Sequence, residues 1–291
     1  MSSNESQIGT LDHLESGLVI GSGYELVRPL GQGGFGQVWL ARDIKGDELV
    51  AIKLMPGTYA TDRGWYEAQV MRHAHLDGVV RLLDEGRDLK HNVSFLVMNH
   101  VDGEPFPGYA LPVAWDDFRP LWRRLIEILD SMHQRGILHL DLKPENVLVD
   151  RESQRVTVLD FGLSRQLLQG TIIEGIAGTP AYLSPEQLRR QKTTAKTDIY
   201  ALGVMAYHAL TGEYPREVSG TLRQQLRVLV RGDILPLSHH TSSLPSGLEP
   251  LIMSMLAVDP ETRPGSLQEV LARLDSAQQD QALKLAQAGL A

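Results

Sequence analysis

The size, composition and charge of the chain limit the classes of protein it can belong to. It has 291 residues, 42% of them hydrophobic and 22% charged, values that are ordinary for a soluble globular protein with one large domain. Its formal net charge of −8 argues against a nucleic acid as the main partner. The absence of cysteine excludes disulfides, thiolate metal sites and cysteine nucleophiles, and it fits a reducing compartment.

The sequence predicts a cytoplasmic protein with no membrane anchor. Its first residues lack the charged and apolar regions of a secretory signal, and residue 2 is not a glycine that could be myristoylated. The longest near-apolar stretch, Ile199–Leu210, is 12 residues, too short to cross a bilayer. We interpret it as a buried core helix.

The predicted elements fall into two parts that differ in type. Residues 1–20 are rich in Ser and Gly and are expected to form a flexible lead-in. Short runs rich in Val, Leu and Ile, separated by glycine turns, then predict the strands Tyr24–Leu30, Gln37–Arg42, Glu48–Met55 and Val93–Met98. One helix is expected among them, at about Asp62–Ala74.

Helical patterns dominate from residue 102 onward. Apolar residues at helical spacing predict an amphipathic helix over Asp116–Gln134. Two short strands, Val147–Val149 and Val156–Leu159, follow it, and the rest reads as helices. We therefore predict an α+β protein with a β-rich part at 21–101, a helical part at 102–275 and a helical tail at 276–291.

A glycine-rich segment, residues 31–38, is the first candidate for phosphate binding. Gly31, Gly33 and Gly36 would let backbone N–H groups approach phosphate oxygens with no Cβ in the way. The alternatives are a structural hairpin and a dinucleotide-binding turn. The latter needs a helix after the glycines, whereas Val38–Ala41 continues as strand, which favours a hairpin that covers phosphates.

Charged residues further along the chain could complete a nucleotide site. Lys53 follows an apolar strand and, with a carboxylate such as Glu67 to orient it, could hold phosphates. Asp141 could accept the proton of an attacking hydroxyl. Asn146 and Asp160 supply amide and carboxylate oxygens, which suit a hard divalent cation that keeps phosphate ligands. Each of these residues alone could instead have a purely structural role, such as capping a helix or forming a turn. A structural role does not explain all of them at this spacing.

The order and spacing of these motifs resemble the eukaryotic-type (Hanks-type) serine/threonine protein kinase family over Gly31 to about Leu274. The resemblance implies a bilobal protein-kinase fold with a β-rich N-lobe and an α-helical C-lobe, and it implies ATP and Mg²⁺ as cofactors. It implies Asp141 as the catalytic base, Asn146 and Asp160 as Mg²⁺ ligands, and Lys53 paired with Glu67. The residues implied around the nucleotide are Gly31, Gly33, Gly34, Phe35, Gly36, Val38, Ala51, Lys53, Met98, Asn99, Val101, Leu148 and Asp160.

Other positions match structural and specificity features of the family. Glu186 would pair with Arg263, and Asp198 would brace the catalytic loop. Lys143 and Thr179 are typical of serine/threonine rather than tyrosine kinases. A lysine at 143 could also neutralise charge on the transferred phosphoryl group. The expected substrate is therefore a protein carrying serine or threonine, and the segment Leu183–Gln187 is most similar to bacterial members.

One position departs from the family pattern. Leu140 stands where most members have an arginine that receives a phosphate from the activation loop. The segment from Asp160 to Glu186 is 27 residues and contains Ser164 and Thr171. We expect activity that does not depend on a loop phosphate, with the ordered state resting on packing, on the pair of Glu186 and Arg263, or on a bound regulatory partner.

Two other classes of protein fit parts of this pattern. A pseudokinase scaffold is disfavoured because Lys53, Asp141, Asn146 and Asp160 are all present. A small-molecule phosphotransferase is disfavoured because the chain has both Phe35 in the glycine-rich loop and the segment Thr179–Glu186, which resembles a peptide-binding platform.

Overall fold

The structure is a computed structural model that divides into two compact units. It describes residues 11–33, 36–57, 68–69, 71–72, 76–160, 165–166, 180–216, 224, 227–228, 233–241 and 244–287. The first unit contains the described residues up to 72, residues 79–101 and Asp160. The second contains residues 76–78, 102–159 and the described residues from 165 onward.

The first unit is built on a six-stranded antiparallel sheet. Its strand order is β1-β2-β3-β4-β6-β5. The strands are β1 (Val19–Ile20), β2 (Tyr24–Gly33), β3 (Gly36–Asp43), β4 (Glu48–Pro56), β5 (Leu82–Asp88) and β6 (Val93–Asn99). Most neighbours in this sheet are consecutive in the chain, because short turns join antiparallel strands.

Alternation along the central strands gives this sheet two faces. On β4, Val50, Ile52 and Leu54 belong to a buried apolar cluster that also contains Trp39 of β3. The residues between them, Ala51 and Lys53, project to the opposite face, because successive side chains of a strand alternate.

Residues 11–20 differ from the expected flexible lead-in. Leu11 and Leu14 are each 8% exposed, and with Ile20 they pack in the apolar cluster of the sheet. Ile20 also pairs with Tyr24 as part of β1. Residues 11–18 form turns rather than a helix or strand, and their leucines pack this loop against the sheet.

The second unit is mainly helical. Within the described ranges, its α-helices of four or more residues are α1 (Trp115–Gln134), α2 (Pro185–Leu188), α3 (Ala195–Thr211), α4 (Leu248–Met255) and α5 (Leu267–Gln287). It also contains two small sheets, one made of β7 (Glu104–Pro105), β9 (Val147–Asp150) and β10 (Arg155–Val158), the other of β8 (Ile137–Leu138) and β11 (Arg165–Gln166). Helix α5 runs without a break through the boundary predicted between residues 275 and 276.

Helix α3 forms the centre of the second unit, as its apolar stretch predicts. Its residues from Ile199 to Leu210 are buried except for the half-buried His208. A capping box of Thr194 and Thr197 begins the helix, and Gly212 ends it in the left-handed conformation. Among the residues that the structure describes, no helix is both long and apolar enough to span a bilayer.

The α+β class, with a β-rich first part and a helical second part, is confirmed. The predicted strands and the long helix α1 are present. The helix expected at Asp62–Ala74 is described only at residues 68, 69, 71 and 72, which are helical. Strand β5 was not predicted, because Leu82–Asp88 is an edge strand with three acidic residues and no regular alternation.

Candidate active site

The loop between β8 and β9 in the second unit carries the candidate catalytic residues, and Asp198 of α3 fixes its backbone. The Asp198 carboxylate accepts hydrogen bonds from the backbone N–H of His139 (2.9 Å) and of Leu140 (2.8 Å). Its Oδ2 also lies 2.8 Å from His133 Nε2. Burial raises the pKa of Asp198, but the hydrogen bond and charge of His133, together with His139, lower it below its ordinary value. The predicted brace is confirmed, and the carboxylate stays charged in the core.

The Asp141 carboxylate is held by two side chains of its own loop. Asn146 Nδ2 donates to Asp141 Oδ2 at 3.1 Å and to the Asp141 main-chain oxygen at 2.7 Å. Lys143 Nζ lies 3.3 Å from the same Oδ2, and the Asp141 side chain keeps 14% of its exposure. An anchored carboxylate with one side open to solvent is suited to accept a proton from a hydroxyl that approaches it.

Leu140, which precedes Asp141, adopts a left-handed backbone conformation with a φ of 64°. For leucine this costs about 1–2 kcal/mol, and surrounding contacts must maintain it. The side chain is buried, with 2% exposure. It therefore offers apolar surface in the core of the unit at the position where the family pattern has a cation.

Glu186 and Arg263 form the predicted ion pair. Arg263 Nη1 and Nη2 donate to Glu186 Oε1 and Oε2, each at 2.8 Å. Burial raises the pKa of the Glu186 carboxyl, but the hydrogen bonds and the charge of Arg263 lower it below its ordinary value. The Arg263 guanidinium also lies over the ring of Tyr200, 4.9 Å from its centroid. This buried contact links the start of α2 to the segment before α5.

In the first unit, Lys53 and Asp160 form an ion pair. Lys53 Nζ lies 2.9 Å from Asp160 Oδ1, and the two side chains are 7% and 39% exposed. Lys53 lies inside β4, which continues to Pro56, so it is not a solvent-boundary residue at the end of a strand. Asp160 has a φ of 52°. A buried lysine beside a more exposed carboxylate is an arrangement that can receive phosphate and a cation together.

Strand register places Val38, Ala51 and Met98 on the same face of the sheet as Lys53. Val38 lies opposite Lys53, and Met98 lies opposite Ala51 on the neighbouring strand. The backbone N–H of Asn99 donates to the Arg81 carbonyl at 3.1 Å, and its side-chain oxygen accepts from Arg81 N–H at 2.7 Å. Asn99 N–H is therefore already used within the unit.

Two glycines of the candidate phosphate loop differ in what their surroundings require. A Cβ on Gly36, which has a φ of 143°, would lie 2.1 Å from the Leu54 carbonyl oxygen, so the close approach of β3 to β4 explains this glycine. A Cβ on Gly31 would meet nothing within 4 Å. Among the described residues of the first unit, none makes a contact that demands a glycine at 31. Gly33 pairs with Gly36 where β2 meets β3.

The remaining predicted residues are placed as follows. Leu148 lies in β9, opposite Thr157, and Val101 follows the end of β6. Gly34, Phe35, Glu67 and Thr179 lie outside the described residues, as do Ser164 and Thr171 of the activation segment. The expected pairing of Lys53 with Glu67 thus stays a prediction.

Sequence reasoning missed two polar residues that support the catalytic loop, one through Asp198 and one directly. His133 contacts Asp198, and Gln187 Nε2 donates to the Leu140 carbonyl at 2.7 Å. His133 stands in an amphipathic helix, where it reads as a surface residue. Gln187 matches the capping pattern of a serine followed three residues later by a glutamine, a signal that predicts a helix start but not a contact with a distant loop.

Comparison with known proteins identifies the family. The protein kinase domain model matches residues 24–274, and the chain belongs to this family. Serine/threonine-protein kinase pkn2 of Myxococcus xanthus is 33% identical over 277 residues, which cover 89% of this chain and 33% of that protein.

Two further bacterial relatives have similar identities. Serine/threonine-protein kinase PrkC of Bacillus subtilis is 30% identical, over 87% of this chain and 40% of its own length. Serine/threonine-protein kinase PknB of Mycolicibacterium smegmatis is 32% identical, over 89% and 43% respectively. The chain thus spans about a third to two-fifths of the length of these relatives.

Proposed function

We propose that the chain transfers the γ-phosphate of ATP to serine and threonine hydroxyls of protein substrates. The observation that carries this proposal is the Asp141 carboxylate, anchored by Asn146 and Lys143 at 3.1 and 3.3 Å on a loop that Asp198 fixes. The relatives named above support the serine/threonine class, as do Lys143 and the Thr179 position. We extend their activity to this chain as part of the proposal.

The loop residues divide the work of the transfer. Asp141 accepts the proton as the substrate oxygen forms its bond to phosphorus and the bond to the leaving phosphate oxygen breaks. Lys143 places a positive charge beside this carboxylate, where it can also stabilise charge on the transferred group. Thr179 is proposed to help seat the substrate hydroxyl.

The described residues fit ATP and Mg²⁺ as cofactors. Gly31 is a glycine with open space at its Cβ, which suits a phosphate brought close to the backbone. Lys53 is a buried cation for phosphate oxygens, and Glu67 is proposed to orient it. Bound Mg²⁺ would neutralise phosphate charge, with Asp160 and Asn146 as its proposed ligands. Because the Asn146 amide nitrogen is used on Asp141, its oxygen is the atom left for a cation.

Adenine is proposed to contact apolar and backbone groups. Val38, Ala51 and Leu148 supply apolar surface, and Met98 stands at the gatekeeper position. Since the Asn99 N–H is bonded to Arg81, we expect the Asn99 carbonyl and the backbone of Val101 to serve the adenine edge. Gly33, Gly34, Phe35 and Gly36 complete the proposed cover over the phosphates.

The proposed activity does not depend on a phosphate in the activation segment. Leu140 is buried and apolar, so it cannot receive such a phosphate through charge-assisted hydrogen bonds. The ion pair of Glu186 and Arg263, or a regulatory partner protein, would then stabilise the active arrangement.

Phosphate transfer from γ-labelled ATP to a generic acceptor protein tests the proposal. The parent chain with Mg²⁺ should label the acceptor, and Asp141→Asn should lower the rate by at least about a hundredfold, since general-base catalysis contributes on this order. Asp117→Asn, an exposed aspartate of α1, is the matched control and should retain the parent rate. ATP binding without transfer would favour a pseudokinase scaffold. Transfer to small molecules alone would favour a small-molecule phosphotransferase.

A further inference from the structure

A buried hydrogen-bond network connects the start of helix α2 to the loop that carries Asp141. The Gln187 side chain is its centre: its Oε1 accepts from the Ser184 backbone N–H at 2.9 Å, and its Nε2 donates to the Leu140 carbonyl at 2.7 Å. The Ser184 hydroxyl accepts from Gln187 N–H at 3.4 Å, which completes a capping box. Gln187 is 8% exposed and Ser184 is fully buried.

The peptide group between Leu140 and Asp141 is held at both of its polar atoms. Its carbonyl oxygen accepts from Gln187, and its N–H, which belongs to Asp141, donates to His139 Nδ1 at 3.3 Å. The preceding N–H, of Leu140, donates to Asp198. These contacts lie on both sides of Leu140. Its left-handed backbone conformation is unfavourable for leucine and persists only where surrounding contacts hold it.

Water hardly reaches the contact between Gln187 and the Leu140 carbonyl. Leu140 and Gln187 are 2% and 8% exposed. The cavity beside them, also lined by Tyr182 and Leu183, has a volume of about 10 Å³, room for at most one water molecule. Loss of the Gln187 donor would therefore leave a buried carbonyl without its hydrogen-bond partner.

We propose that Gln187 is a positioning residue that sets the place of the catalytic carboxylate of Asp141. It acts through the Leu140 carbonyl, and it ties the catalytic loop to the segment after the activation loop by a neutral contact. This inference rests on the proposed function of Asp141. Because the contact joins a neutral amide to a backbone carbonyl, it needs no phosphate.

Two substitutions at Gln187 break the contact in different ways. Gln187→Glu keeps an acceptor for the Ser184 N–H but places a second oxygen against the Leu140 carbonyl. Gln187→Met has a similar length and no hydrogen-bonding group. Gln191→Glu and Gln191→Met, four residues further on at an exposed position, are the matched controls for charge and for loss of the amide.

We expect both Gln187 variants to lower kcat about tenfold or more, because a buried carbonyl loses its partner. The KM for ATP should stay within about twofold, since most of the residues proposed to bind ATP, with Lys53 and the glycine-rich strands among them, belong to the other unit. Hydrogen–deuterium exchange without substrate should be faster at residues 139–146 in both variants, and unchanged in the Gln191 controls.

The exchange measurement separates this inference from the proposed function. A parent chain that transfers no phosphate would sink the proposed function, while faster exchange in the Gln187 variants would still show that Gln187 holds the loop. A folded Gln187 variant with parental kcat in an active enzyme, or with parental exchange at residues 139–146, would overturn the inference. If one variant does not fold, the other decides. If neither folds, Gln187 has a general structural role and the inference fails.

Discussion

Glu186 and Arg263 face each other as a buried, bidentate ion pair, with both nitrogen-to-oxygen distances at 2.8 Å. Both residues are at most 4% exposed. Thr197 of α3 also donates to Glu186 Oε1, at 2.9 Å. The pair therefore joins three segments of the second unit that are distant in sequence, and loss of one partner would leave the other charge buried without compensation.

Glu186→Gln should lower the free energy of unfolding at neutral pH by about 3–5 kcal/mol, the usual effect of breaking a buried pair. Because the folded pKa of Glu186 lies below its ordinary value of 4.5, this stabilisation is present above that pH and is lost as the pH falls through the folded pKa. Urea denaturation from pH 3 to 7 checks both points. Glu261→Gln, which removes an exposed partner of Lys196, should cost less than about 1 kcal/mol. Two results would contradict this account. One is a Glu261→Gln variant that loses as much free energy of unfolding as Glu186→Gln. The other is a difference in free energy of unfolding between Glu186→Gln and the parent that does not become smaller in acid.

Lys53→Met should lower the rate of phosphate transfer by orders of magnitude while the chain remains folded. Methionine fills a similar buried volume on β4 but cannot contact phosphate oxygens or Asp160. The measurements are the transfer rate and the thermal unfolding midpoint. Lys45→Met, at an exposed position in the turn between β3 and β4, is the control and should leave both unchanged. Near-parental activity of Lys53→Met would show that the role of this lysine is wrongly assigned.

Asp160→Asn should raise the Mg²⁺ concentration needed for half-maximal rate. An amide oxygen binds a hard cation more weakly than a carboxylate, and the substitution also removes the charge beside Lys53. A Mg²⁺ titration at saturating ATP measures this effect. Asp12→Asn, an exposed residue of the same unit, should titrate like the parent. If Asp160→Asn titrates like the parent as well, another carboxylate holds the metal.

Most of the fold was predictable because its signals are local. The alternating runs of β3 and β4 and the helical spacing of α1 report directly which face of each element is buried. Two features were not predictable from the local sequence. Strand β5 depends on its pairing with β6, and the burial of Leu11 depends on its packing against one face of the sheet.

Candidate residues were predictable where spacing along one chain segment defines them. Asp141 and Asn146, five residues apart, were selected together from the sequence, but the contact between their side chains became visible only in the structure. The residues that hold the site in place, Asp198 and the pair of Glu186 and Arg263, were predictable only through family resemblance. Gln187 was not predictable, because its capping pattern says nothing of the Leu140 carbonyl, 47 residues away in sequence. The positive φ of Leu140 was equally hidden, since leucine rarely adopts it.

Loss of the hydroxyls in the activation segment should not switch the enzyme off. Thr171→Ala, Ser164→Ala and the double variant should keep turnover within a few-fold of the parent, because the buried side chain of Leu140 offers no cation for a phosphate. Initial rates before and after phosphatase treatment check this. A loss of most activity on dephosphorylation, restored by rephosphorylation at Thr171, would mean that another cation, such as Arg165 or Lys192, replaces the family arginine.

The companion substitution Leu140→Arg should be neutral or harmful. It introduces a charge at a position that is 2% exposed, and burial of an unpaired guanidinium is costly. Turnover before and after incubation with ATP measures the effect. Leu140→Met, which preserves apolar character and volume, is the control and should behave like the parent. Phosphate-dependent activation of Leu140→Arg would show that a residue of the loop can reach this position.

Phosphoamino-acid analysis of the labelled product tests the central claim most directly. The parent chain, incubated with γ-labelled ATP, Mg²⁺ and an acceptor protein that contains serine, threonine and tyrosine, should yield phosphoserine and phosphothreonine with little or no phosphotyrosine. The label should be absent when Asp141→Asn replaces the parent. Dominant phosphotyrosine, or equal labelling by the parent and Asp141→Asn, would contradict a serine/threonine kinase in which Asp141 is the base.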